Sequence, residues 1–259
     1  MDPDMTGLAV RVGSSLANFA AGALNLLFPP RCTFCNNEIS DPNNPILLCP
    51  ECCRRFVPEK WFGCRHCGGV ILEEAQDADH CSMCRNPPLR FDTVVPLGGY
   101  HSILRDVILR MKQSQQAHLA VAMGRLLAHR RYSELSGLRA DMVVPIPMYW
   151  SRRFQRGSNS PELLAHCLSR ELDVPVHSRL LARTRNTLPQ SGLPPKQRFR
   201  NVRGAFRICS HHPLQGARVL LVDDVLTTGA TSSEVAKILK KAGASMVAVA
   251  VIARAQGGE

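Results

Sequence analysis

Residues 218–234 read RVLLVDDVLTTGATSSE, and this stretch leaves little freedom about what forms around it. The apolar run at 219–222 reads as a buried strand, and it ends in two adjacent acids, Asp223 and Asp224. A turn of small and hydroxyl residues follows at 226–230. Thr231-Ser-Ser-Glu234 then has the form of a capping box opening a helix. Val235, Ile238, Leu239 and Ala242 share one face of that helix, Lys240 and Lys241 fill its last turn, and Gly243 is placed to stop it. The predicted unit is strand, small-residue turn, helix.

Such a unit suits an anion. The N–H groups at a helix start carry positive partial charge, and a turn of Thr227, Thr228, Gly229, Ala230 and Thr231 lets a phosphate approach closely while offering hydroxyls. Paired carboxylates cannot hold that phosphate. They suit vicinal hydroxyls or a magnesium ion, so the combination describes a phosphorylated sugar lying across the strand end. No Gly-Lys-Ser/Thr follows and no GxGxxG is present, which excludes a Walker A loop and a dinucleotide fingerprint.

A second pattern organises the N-terminal third. Cys32-x-x-Cys35 and Cys49-x-x-Cys52 are thirteen residues apart; Cys64-x-x-Cys67 and Cys81-x-x-Cys84 repeat that gap with an offset of 32. Eight thiols in four CxxC pairs read as two structural four-thiolate zinc sites of ribbon type in a reducing, cytoplasmic setting. Equal gaps favour pairing first with second and third with fourth, with a cross-braced arrangement as the alternative. Cys53, His66 and His80 are then bystanders.

Of the 259 residues, enough for one α/β domain and a small accessory module, residues 88–212 carry 20 Lys and Arg against 7 Asp and Glu. This basic middle attracts polyphosphates or nucleic acid. The apolar stretch 16–28, interrupted by Asn18 and Asn25, is too short and too polar to span a bilayer; it reads as an amphipathic helix, with a signal peptide as the competing reading.

Along the rest of the chain, 91–97 reads as a strand, Gly98-Gly99 as a turn, 103–111 as a helix ending near Lys112, and 116–131 as a helix burying Leu119, Met123, Leu126 and Leu127. DMVVPIP at 141–147 is the next strand. A basic turn with Arg152, Arg153 and Arg156 follows. Ser160 then caps a helix begun by Pro161, with Leu164, Cys167, Leu168 and Leu172 inside. Residues 183–204 are basic, free of acids and rich in Pro and Gly, a long loop with no extended regular element. Residues 246–252 read as an interior parallel strand, and Gly257-Gly258 as a frayed end.

Together these motifs resemble the ComF family, which joins a cysteine-rich double zinc ribbon to a type I phosphoribosyltransferase domain. The match lies in Leu27-Phe-Pro-Pro-Arg-Cys32, the Val-Pro-Ile-Pro strand end, Arg156-Gly157-x-Asn159, Arg183, Thr187, Gln190, Leu193, Arg198, Asn201, Ala205-Phe206 and the 222–231 motif. Ser158, Ser160 and Pro161 depart from the family pattern Arg-Gly-Phe-Asn-Gln-Ala. The resemblance implies an α/β fold with a central parallel sheet flanked by helices. It divides the chain into a helical leader at 1–30, a double ribbon at 31–87 and a transferase-like domain at 88–259.

By the same resemblance, Asp223 and Asp224 take the ribose hydroxyls of phosphoribosyl pyrophosphate (PRPP), and residues 227–231 take its 5-phosphate. Pro145, Ile146, Pro147, Met148 and Tyr149 form the pyrophosphate loop, and Arg183, Gln190, Arg198 and Asn201 belong to a closing loop. Magnesium accompanies PRPP. Two functions follow as expectations: transfer of phosphoribosyl to an acceptor the sequence does not identify, or handling of single-stranded DNA with DNA-uptake partners, PRPP then serving as a regulatory ligand.

Overall fold

The computed structural model describes residues 29–41, 43–57, 63–71, 81, 84, 88–151, 159–210 and 212–255. The expected leader helix, Arg152, Arg153, Arg156, His80 and Gly257-Gly258 lie outside these. The described residues fall into two compact units, one up to Cys52 and one from Cys53 onward.

In the first unit the knuckle at Cys32 is closed by Cys32 N–H donating to the Asn37 carbonyl (2.8 Å) and Asn36 N–H to the Cys32 carbonyl (2.9 Å), while Arg31 bridges Glu38. In the second unit Cys64 N–H donates to the Gly69 carbonyl and Gly68 N–H to the Cys64 carbonyl, both at 2.8 Å, and Gly63 bridges Val70. Each partner is displaced by 32 positions, so the cysteine repeat is a repeat of backbone. Asn36 (φ 65°) and Gly68 (φ 66°) occupy the same left-handed corner, which only Gly, and Asn after it, adopts readily. Helix α1, Pro50–Phe56, carries Cys52.

The second unit continues with β1 (Thr93–Gly99), α2 (Ser102–Met111), α3 (Ala117–Arg130), α4 (Tyr132–Gly137), β2 (Met142–Pro145) and α5 (Ser160–Leu172). Then come β3 (Leu181–Arg183), α6 (Pro195–Val202), β4 (Phe206–Ile208), β5 (Arg218–Leu226), α7 (Ala230–Lys241) and β6 (Met246–Arg254). Four strands form a parallel sheet in the order β1-β6-β5-β2, and β3 and β4 pair antiparallel in a separate ribbon. Strand β6 lies between β1 and β5, which is why its apolar run has no polar alternation. Because the sheet is parallel, Gly99, Arg254, Leu226 and Pro145 end on the same edge. Ligands of open α/β sheets bind at that edge.

The stripe of Leu119, Met123, Leu126 and Leu127 is buried as expected. Helices α3 and α5 approach closely at Gly124, where an added Cβ would stand 2.9 Å from Cys167 Cβ. Cys167 is thus a packing residue, its thiol donating to the Val121 carbonyl (3.5 Å), and burial pushes its pKa up, away from a nucleophile's range.

Several local expectations are corrected. Gly98 and Gly99 are ladder residues opposite Ala253 and Arg254, since pairing with β6 carries the chain straight through them. The strand at 141–147 is shorter, Met142–Pro145, because Pro145 and Pro147 lack the N–H a ladder needs. Ser160 is inside α5; Asn159 is its N-cap, and the Ser160 hydroxyl donates to the Met111 carbonyl (3.1 Å). Ala242 is exposed, and Ala236 takes its place on the buried face of α7. No described helix is long and apolar enough to cross a membrane.

Candidate functional site

The acids stand where the sheet edge requires. On β5, Asp223 Oδ1 accepts the Asp224 N–H (2.8 Å) and Asp224 Oδ1 accepts the Val225 N–H (2.9 Å), so each carboxylate turns back on its own strand end. Burial and the adjacent charge of Asp224 push the Asp223 carboxyl well above the usual carboxylate range, while the Asp224 N–H and the Lys112 ammonium act against them. Lys112, the C-cap of α2, reaches Asp224 at 3.1 Å. A carboxylate pair held this way is poised to trade a proton or an ammonium for a stronger cation or for hydroxyl donors.

Beyond the acids the chain turns through residues 227–229 into α7. The capping-box expectation is corrected here: the helix starts at Ala230 with Gly229 as N-cap (φ 77°), and the Glu234 carboxylate accepts the Gly204 N–H (2.8 Å) instead of closing the first turn. The left-handed Gly229 makes the difference, because it already turns the chain into the helix. An added Cβ there would lie 3.1 Å from Leu89 Cδ2 and 3.3 Å from Phe91 Cε1. The Thr228 hydroxyl accepts the Ala230 N–H (3.4 Å), and the N–H groups of Thr228 and Gly229 have no acceptor among the described residues. Ser232, 1% exposed, lines the same cleft with a hydroxyl that has no partner among them. Open N–H donors and an orphaned buried hydroxyl at a helix start are an anion cradle.

Strand β2 delivers the neighbouring loop. Pro145 lies in register with Val222, the residue before Asp223, and the Ile146 N–H donates to the Val222 carbonyl (2.9 Å). Pro147, Met148 and Tyr149 therefore leave the sheet beside the acids, half-buried, with Trp150 exposed next to the Tyr149 ring (centroids 5.8 Å).

The segment 183–204 is more ordered than its composition suggests. It springs from the β3–β4 ribbon and contains helix α6, begun by Pro195. Asn201 clamps Leu188 in both directions, accepting its N–H (3.1 Å) and donating to its carbonyl (2.9 Å). Arg198 donates to the Leu193 carbonyl (2.8 Å), and Arg183 donates to Thr187 while its guanidinium lies 5.3 Å from the Phe206 ring centroid. These three side chains hold the segment's own shape. Gln190 reaches out, its amide 3.5 Å from the Thr231 hydroxyl across the anion cradle. Lys196, Arg200 and Arg203 remain on its exposed face, and Arg207 of β4 is exposed as well.

The eight cysteines form two tetrads, Cys32, Cys35, Cys49, Cys52 and Cys64, Cys67, Cys81, Cys84, each with its sulfurs within 4.8 Å of one another. The pairing is thus sequential. Sulfur separations of 3.7 Å (Cys35–Cys49), 3.4 Å (Cys67–Cys81) and 3.9 Å (Cys64–Cys84) are far beyond a disulfide. They match the roughly 3.8 Å edge of a tetrahedron of about 2.3 Å zinc–sulfur bonds. Burial opposes ionisation of Cys32, yet the backbone N–H groups of Cys35, Cys49 and Phe34 outweigh it and bring the thiol down to about 7. Burial and the neighbouring sulfurs push Cys52 and Cys84 strongly up, so four thiolates coexist only around a cation. Both tetrads fit structural zinc. His66 takes no part; its ring stacks on Phe91 and its Nδ1 faces the Asp92 carbonyl (3.1 Å).

Sequence reasoning missed Lys112 and Arg254. Neither belongs to a motif, and each reaches its partners only through the parallel sheet.

A parallel sheet edge with paired acids before an anion cradle, joined to two cysteine tetrads, defines a phosphoribosyltransferase-type domain carrying a double zinc ribbon. The Phosphoribosyl transferase domain family matches residues 163–259 and the Double zinc ribbon domain family residues 23–86. The chain belongs to the competence protein F (ComF) family. It is 34% identical over 229 residues to Competence protein F of Haemophilus influenzae, covering 87% of this chain and 97% of that one. It is 34% identical over 212 residues to DNA utilization protein YhgH of Escherichia coli (strain K12), covering 80% and 90%. It is 31% identical over 205 residues to the YhgH of Salmonella typhimurium, covering 78% and 88%.

Proposed function

We propose that this protein binds PRPP with magnesium at the β5–α7 turn and serves DNA uptake or utilisation in the cytoplasm. The observation that carries the reading is the placement of Asp223 and Asp224 at the end of β5, just before the turn in which the Thr228 and Gly229 N–H groups are open. Asp223 and Asp224 take the ribose 2- and 3-hydroxyls, and the N–H groups of Thr228 and Gly229 with the hydroxyls of Thr227, Thr231 and Ser232 take the 5-phosphate. Pro145, Ile146, Pro147, Met148 and Tyr149 border the pyrophosphate, and Lys112 supplies a positive charge on that side. Gln190 brings the 183–204 segment over the cradle, where Arg183, Arg198 and Asn201 keep it shaped to exclude water. Magnesium, when bound, neutralises charge on the departing pyrophosphate.

Titration of PRPP and magnesium into the wild type and an Asp223→Asn, Asp224→Asn double mutant tests this, with pyrophosphate release followed in the same samples. Binding lost in the double mutant supports the site; no binding by the zinc-loaded wild type overturns it. Release only when an acceptor is supplied makes the chain a transferase.

A second reading is favoured by the exposed basic face of Lys196, Arg200, Arg203 and Arg207. On it, single-stranded DNA is held there and at the ribbons beside DNA-uptake partners, and PRPP acts as a signal. Retained PRPP binding without release, together with a salt-dependent affinity for single-stranded DNA, favours this reading.

A further inference from the structure

Arg254 is 3% exposed, and among the described residues no carboxylate pairs with it. Its guanidinium instead gathers backbone carbonyls from two places. Nε donates to Cys67 of the second tetrad (2.7 Å), and Nη1 donates to Leu226 (3.1 Å), Thr227 and Ala255. One rigid planar cation thus spans the zinc knuckle and the first residues of the anion cradle.

Other contacts run the same way. Gly68 packs on Val94, the Thr93 hydroxyl donates to the Arg65 carbonyl (2.7 Å), and Cys64, Cys67 and Cys84 share one buried cluster with Leu89, Phe91 and Leu226. Leu89 and Phe91 are the side chains that close on Gly229, and the Arg90 N–H donates to the Ser233 hydroxyl (3.1 Å). The charge balance is also suited to metal. Zinc on four thiolates carries a formal 2− charge, and Arg254 is the buried cation beside it. Without the metal the guanidinium loses that counter-charge and the knuckle carbonyl loses its fixed position.

We infer that Arg254 is a positioning residue that couples metal occupancy of the Cys64, Cys67, Cys81, Cys84 tetrad to the shape of the 226–231 turn, and hence to its affinity for a sugar phosphate. The affinity part rests on the sugar-phosphate reading above; the coupling of metal to turn does not. Coupling is reciprocal, so a sugar phosphate in the cradle strengthens zinc binding at the second tetrad by the factor by which zinc strengthens sugar-phosphate binding.

The test is hydrogen exchange on the full chain across a series of buffered free-zinc concentrations, with cysteine alkylation mapped in parallel to show which tetrad has emptied. The hydrogen-bonded amides around the turn, those of Ala230, Ser233 and Ala255, are expected to exchange about tenfold faster once Cys64 and Cys67 become alkylated, and not when only Cys32 and Cys35 do. Strand β2 serves as the internal control and keeps its protection. At saturating zinc, Arg254→Gln shows the fast-exchanging turn with its thiols still protected, and Arg254→Lys recovers part of the protection. Unchanged exchange of Ala230, Ser233 and Ala255 after the second tetrad empties overturns the inference, as does loss of protection shared equally by β2. Should Arg254→Gln fail to fold, the wild-type zinc series decides alone. Ribose 5-phosphate affinity, measured at saturating and depleted zinc, is expected to differ about tenfold. Absence of any ribose 5-phosphate binding removes the sugar-phosphate reading and leaves the exchange result standing.

Discussion

The Lys112 ammonium at the end of α2 stands 3.1 Å from an Asp224 carboxylate oxygen at the end of β5. Two acids side by side on a strand repel each other, and this lysine is the cation that makes their coexistence tolerable in the free protein. Lys112→Met should lower unfolding stability by about 1 kcal/mol at pH 8, the modest value reflecting partial solvent screening. Urea denaturation at pH 8, with an Asp224→Asn double-mutant cycle, measures the pair directly.

Asp223 sets a pH dependence of its own. Its carboxyl ionises in the ordinary range when unfolded and well above that range when folded, mainly through burial and the Asp224 charge. Between those two values the folded chain holds a proton that the unfolded chain releases, so stability falls as pH rises through the window and levels off above it. Asp223→Asn should flatten this dependence and gain on the order of 1 kcal/mol at pH 8, while losing PRPP binding. Denaturation midpoints from pH 4 to 9 give the answer.

Gly229→Ala tests the cradle's backbone. With φ at 77° and Leu89 and Phe91 only 3.1 and 3.3 Å from where the methyl would stand, the extra carbon has neither the conformation nor the space. A loss of about 1–2 kcal/mol in stability is expected, together with a loss of ribose 5-phosphate affinity by calorimetry.

Asn201→Ala should remove the two-way clamp on Leu188. The 183–204 segment, with many basic cleavage points, should then be nicked by trypsin several-fold faster while the global unfolding midpoint moves little. A midpoint that drops as fast as proteolysis rises would place the clamp in the core instead.

The two tetrads should respond differently to one lost thiol. Cys67 is fully buried in the cluster that includes Phe91 and Leu226, so Cys67→Ser should cost zinc and cooperative unfolding of the transferase-type unit together. Cys35→Ser, at a half-buried position of the other unit, should cost about one zinc per chain and leave the unfolding of the transferase-type unit in place. Zinc content and thermal melts of the two serine variants decide this.

What was legible in the sequence was whatever is local and periodic. The β5 run, the Asp223-Asp224 pair, the stripe from Leu119 to Leu127 and the 32-residue cysteine offset all express themselves over a few residues and reappear in the fold, although β5 runs on through both acids to Leu226 and the turn shortens to 227–229. The capping box failed because Gly229 already had the left-handed turn that starts α7, leaving Glu234 free for Gly204. Segment 183–204 reads as a long loop because three prolines and two glycines argue against an extended element, whereas Pro195 begins the eight-residue α6. Lys112 and Arg254 carry no local signature at all, since their partners are set by which strands lie side by side.

That adjacency has a temporal side. Strand β6 separates β1 from β5 although it is made after both, and the Val247 N–H closes on Asp92 Oδ2 at 2.8 Å across 155 positions of chain. On the ribosome, β5 and β2 can pair as soon as they emerge, while β1 must wait with an unpaired edge until residues 246–254 are released. The central parallel sheet is therefore completed only once β6 has emerged, and until then the unpaired edge of β1 leaves the nascent chain open to mispairing or to capture by a chaperone.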